Sequence, residues 1–81
     1  MKASCREIAF VGRNLIRASV DAAYALAERG KMKHARTAIG NARRIVANIR
    51  ELCPHYSSVL NRQIHRITTF VARHPIMSGR R

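Results

Sequence analysis

Acidic residues are scarce in this 81-residue chain: four Asp and Glu stand against sixteen Lys and Arg, giving a formal net charge of +12. Glu7, Asp21, Glu28 and Glu51 lie far apart, so no carboxylate pair for acid–base chemistry is indicated. His34, His55, His65 and His74 are dispersed, and no serine or cysteine has a base at a recognisable spacing. Neither a phosphate-cradling glycine loop nor a dinucleotide fingerprint occurs. The expectation is a protein that is not an enzyme and uses no cofactor.

Long apolar runs are missing as well. Nothing approaches the roughly 18–20 residues that cross a bilayer. Arg6, Glu7, Arg13 and Arg17 interrupt the run that a secretory leader would need. A cytoplasmic protein is expected, resident in the host cytoplasm if a virus or plasmid carries it; small basic helical proteins of this kind are typical of phages and mobile elements. Proline occurs only at Pro54 and Pro75.

What is present is amphipathic periodicity. An apolar share of 47% is that of a globular chain, and 81 residues make one domain near the lower size at which a single core holds unaided. From Lys31 to Leu52 the apolar residues Ala35, Ala38, Ile39, Ala42, Ile45, Val46 and Ile49 recur at i, i+3, i+4, i+7, the mark of one helical face. The opposite face carries Lys33, Arg36, Gly40, Arg43, Arg44 and Ala47, with Arg50 at its margin. This helix needs partners on one side and is cationic on the other.

Residues 3–29 predict a helix with two adjacent apolar strips. Ile8, Val11, Leu15, Ala18, Ala22 and Leu26 form one at near-heptad spacing; Ala9, Ile16, Val20, Ala23 and Ala27 form the second. An arc that broad is touched on two sides, by both other helices or by one helix and a second copy of the chain. The remaining face bears Arg6, Phe10, Arg13, Arg17, Asp21, Tyr24 and Glu28, with Arg17 and Asp21 at the i, i+4 spacing of an ion pair. Gly30 suits a left-handed helix end, and the short connector to Met32 forces an antiparallel hairpin. Pro54 fits the first turn of a third helix over about 55–73, with Leu60, Ile64, Ile67 and Val71 apolar, Tyr56 and Phe70 flanking them, and Arg62, His65, Arg66, Thr69 and Arg73 opposite. The fold class is thus all-α: a compact three-helix bundle built on an antiparallel hairpin, a single domain over 1–75 with a basic tail over 76–81.

The segment LAERGKMKHARTAIGNARRI, Leu26 to Ile45, places Gly30, Ala35, Ile39 and Ala42 at offsets that resemble a tetratricopeptide helical pair. The resemblance covers about a third of the chain, lacks the large residue of the first helix and the closing proline, and is not repeated. It implies a close helical hairpin.

Folding back at Gly30 sets Cys53 level with about residue 7, so Cys5 becomes its neighbour. Glu7, Glu51 and His55 belong to the same end. Free, partly buried thiols are the expectation for a chain without a secretory signal; a disulfide, or a metal site of Cys5, Cys53 and His55, are the alternatives.

The excess cations point to a polyanionic partner. Arginine predominates, which favours bidentate contact with phosphate or carboxylate. Candidate binding residues are Arg13 and Arg17 on the first helix, Arg36, Arg43 and Arg44 on the second, and Arg62, Arg66 and Arg73 on the third. Phe10 and Tyr24 among the first-helix arginines suit base stacking or a protein contact. The turn after Leu52 carries proline and lacks the usual glycine, so a sequence-reading helix-turn-helix is not expected. Two readings remain: sequence-tolerant nucleic-acid binding through arginine faces, or a small adaptor or inhibitor docking on an acidic protein surface. A homodimer through the first helix is compatible with either.

Overall fold

Ser4 opens the first helix with a reciprocal cap. Its hydroxyl accepts the Glu7 N–H at 3.2 Å, and the Glu7 carboxylate accepts the Ser4 N–H at 3.1 Å. In this computed structural model, which describes residues 4–74, helix α1 then runs Cys5–Glu28. It ends in a Schellman arrangement: the Gly30 N–H reaches the Ala27 carbonyl at 3.0 Å, and the Lys31 N–H reaches that of Leu26 at 2.9 Å. Gly30 supplies the positive φ of 79° that this closure requires. The Lys31 carbonyl already accepts the Ala35 N–H at 3.0 Å, and α2 runs Met32–Leu52 antiparallel to α1.

The hairpin interleaves small residues with isoleucine and valine. Ala9, Gly12, Ile16, Val20 and Ala23 are the buried positions of α1, and Ala35, Ile39, Ala42, Val46 and Ile49 those of α2. Gly12 lets α2 come close: a Cβ there would strike Cδ1 of Ile49 and lie 3.3 Å from its Cγ1. Of the two apolar strips on α1, the second is therefore the core. Val11 and Leu15 on the first are 58% and 53% exposed. Ile45 sits half-buried at the margin of α2 rather than within its dry face.

Cys5 and Cys53 are joined in a disulfide, with Cα atoms 5.5 Å apart across a separation of 48 residues. The register drawn about Gly30 holds, whereas the expectation of free thiols does not. That expectation rested on compartment, and the hairpin geometry brings the two residues into bonding range regardless. Neither sulfur is then available to a metal.

The third helix is not continuous. Pro54–Leu60 winds as a 3-10 helix, with the Tyr56 N–H bonded to the Cys53 carbonyl at 3.0 Å, and only Asn61–Arg73 forms α3. The run Tyr56-Ser57-Ser58-Val59 contains no strong helix former, so the tighter turn survives there. Phe70, expected at the flank, is fully buried at the centre of the α3 contact. Its ring meets Tyr24 edge-on at 5.0 Å. Ile64 and Val71 are half-buried instead. With Asp21 facing Arg66 and Tyr24 facing Phe70, α3 runs parallel to α1, giving an up-down-up bundle of 45 × 22 × 20 Å. The predicted tail over 76–81 lies outside the described residues. No described helix is long and apolar enough to cross a membrane.

Candidate nucleic-acid interface

The outer face of α2 is built by the same 3–4 spacing as its core face. Lys33, Arg36, Gly40, Arg43, Ala47 and Arg50 step along one stripe, and all six are exposed. Arg36 to Arg50 spans two heptads, about 21 Å of helix axis. Cations thus alternate with a glycine and an alanine. Nothing stands within 4 Å of where a Gly40 Cβ would be, so a backbone or phosphate has an open approach between the arginines. Arg44 lies exposed beside the stripe.

None of these cations is neutralised. Among the described residues the sole ion pair is Arg66–Asp21, at 2.6 Å. Asp21, expected to pair with Arg17 along its own helix, instead reaches across to α3. Arg66 also donates to the Gln63 side-chain carbonyl at 3.2 Å and lies over the Tyr24 ring at 5.9 Å. Gln63 is 4% exposed. Arg66 is therefore occupied in fastening α3 to α1, and Tyr24, half-buried against Phe70, belongs to the same fastening.

The other candidates divide by helix. Arg13 stacks on the Phe10 ring at 4.8 Å, and Phe10 is 39% exposed, so this aromatic–guanidinium pair does face outward. Arg17, Arg62 and Arg73 are exposed. Because α1 and α3 run parallel with Asp21 level with Arg66, Arg17 and Arg62 lie one turn further toward the same end. The three predicted arginine groups hence do not merge: those of α1 and α3 share one seam, and that of α2 stands apart.

Between α2 and α3 the bundle opens into a groove of about 500 Å³. Val46, Ala47, Ile64, Ile67 and Val71 contribute apolar walls, and Arg43 and Arg50 stand on its α2 bank. On its α3 side Phe70 turns toward α1, which leaves Ile64, Ile67 and Val71 facing the groove. Sequence reasoning placed Arg50 only at the margin and missed both the groove and Gly12. The spacing of Lys33, Arg36, Arg43 and Arg50, steps of 3, 7 and 7 that keep one helical face, was the available signal for the stripe.

No family model, tetratricopeptide included, no curated protein and no solved structure matches the chain.

Proposed function

We propose that the protein binds nucleic acid with little sequence preference, using the α2 stripe Lys33, Arg36, Arg43 and Arg50 with Arg44 beside it. The observation that supports this reading is the exposed, unpaired row of cations alternating with Gly40 and Ala47, on a chain of net charge +12. Phosphates are held by such dispersed charges through counterion release, without base reading. Arg13, Phe10, Arg17, Arg62 and Arg73 form a secondary surface along the α1–α3 seam. A contact between two copies through α1 belongs to the same reading, since pairing doubles the cations that a nucleic acid meets.

Binding measured against salt tests it. Four or five phosphate contacts give a log K against log salt slope of roughly −3 to −4. Arg36→Ala, Arg43→Ala and Arg50→Ala should each flatten the slope by somewhat under one unit, equally on every sequence. Arg66→Ala should leave it unchanged. Duplex and single-stranded probes both failing to bind below about 100 µM would sink the proposal.

The α2–α3 groove favours a second reading. Apolar walls beside Arg43 and Arg50 suit an amphipathic helix with acidic residues on one flank. In that case capture from lysate survives nuclease treatment, and Val71→Asp in the groove abolishes it while sparing any binding to nucleic acid.

A further inference from the structure

The most unusual surface of the molecule is the one without cations. Ile8, Val11, Leu15, Ala18, Ala22 and Ala25 follow one another along α1 at steps of 3, 4, 3, 4 and 3. That is the a/d spacing of a two-helix seam. Ile8 packs at the edge of the core, but neither α2 nor α3 covers the rest: Val11 and Leu15 are more than half exposed, and Ala18, Ala22 and Ala25 are exposed. At 3.6 residues per turn, Arg6, Arg13 and Arg17 fall on the opposite side of α1. Leu52, 65% exposed, borders the strip from α2 together with Ile45 and Asn48. Two bodies of such high like charge can meet closely only where neither presents cations, and this is that sector.

Resting on the reading of α1 as a contact between copies, we propose that two chains pair through α1 in antiparallel, full-length overlap, with the two-fold axis between Ile16 and Arg17. The seam is graded, its N-terminal half large and its C-terminal half alanine. Antiparallel pairing about the midpoint of α1 sets Ile8 against Ala25 of the partner subunit, Val11 against Ala22 of the partner subunit and Leu15 against Ala18 of the partner subunit. Every layer then joins one large and one small side chain, so the helix axes keep a constant separation along the whole contact. Parallel pairing would stack Ile8, Val11 and Leu15 on their own copies at one end and alanines at the other, and the helices would splay. The same axis sets Glu7 level with Leu26 of the partner subunit, which leaves Arg29 of the partner subunit about one helical turn from Glu7 at each end. The α2 stripe stays on the outside of each copy.

Sedimentation velocity from roughly 10 µM to 1 mM, spanning the weak-dimer range, reads the pairing itself. The intact chain should be dimeric within that range, and Leu15→Glu should be monomeric with unchanged helicity because Leu15 lies outside the monomer core. A nitroxide on Glu28→Cys, with the native disulfide retained, reads the direction. Antiparallel overlap separates the two labels by 23 residues along the axis, about 34 Å. A dimer with labels within about 20 Å would overturn the antiparallel register while leaving α1 as the interface. A chain monomeric throughout, or a Leu15→Glu variant still dimeric, would overturn the α1 contact altogether.

Discussion

The two apolar strips of α1 part company at mid-helix, although the side chains there are matched in size. Val11 and Leu15 stand outside, while Ala9, Gly12, Ile16, Val20 and Ala23 are buried. Transfer free energy alone barely separates Leu15 from Ile16 or Val11 from Val20, at about 25 cal/mol per Å². What decided between the strips is closeness. A short connector at Gly30 holds α1 and α2 side by side, and Gly12 admits Ile49 where any Cβ would collide. A smooth strip permits a tight hairpin whose dispersion contacts are dense. Val11 and Leu15 are left exposed.

Ile16→Ala against Leu15→Ala is the most direct way to break that comparison. Ile16 is fully buried, and its loss should cost about 2–5 kcal/mol in chemical denaturation. Leu15→Ala in dilute solution should stay within about 0.5 kcal/mol of the parent. Equal effects would mean that Leu15 is as well covered as Ile16, and reversed effects that the two strips had been exchanged.

Cys5 stands at the start of the buried strip, so the disulfide pins the phase of α1 as well as the end of the hairpin. Closing 48 residues constrains the unfolded chain by about 4 kcal/mol on the loop-entropy view. Cys5→Ser/Cys53→Ser should lower the unfolding midpoint accordingly, and adding reductant to this variant should change nothing further.

Smallness at Gly12 is tested by Gly12→Ala. Ile49, 3% exposed, would have to swing within a filled core, at a cost of about 1–3 kcal/mol. An unchanged midpoint would show that the hairpin has slack and that closeness did not choose the strip.

Gly40 gives the contrasting, smaller effect. Gly40→Ala adds a methyl group into open space in a helix interior and should stabilise by about 0.5–1 kcal/mol. If phosphates approach between the arginines as proposed, the same variant should weaken nucleic-acid binding while raising stability. Destabilisation would mean that the outer face of α2 is covered after all.

Three helices, their order, the turn at Gly30 and the nearness of Cys5 and Cys53 were legible in the residues. Each depends on local periodicity or on a register counted from one turn, and both are properties of the chain before it packs. The cationic face of α2 was legible for the same reason, since a 3–4 stripe of bases has no way to be inside. The break at Leu60, the choice between the strips of α1, the central place of Phe70 and the capture of Arg66 by Asp21 were not. All four depend on which surfaces meet at what distance, and hydrophobic periodicity fixes the direction a side chain points without fixing how near its neighbour comes. Tertiary contact alone turned Asp21 from an expected partner of Arg17 into the tie that holds α3. By drawing α1 and α2 together at Gly12, it also left Val11 and Leu15 of the heptad strip exposed, while Ile8 and Leu26 pack at the edge of the core.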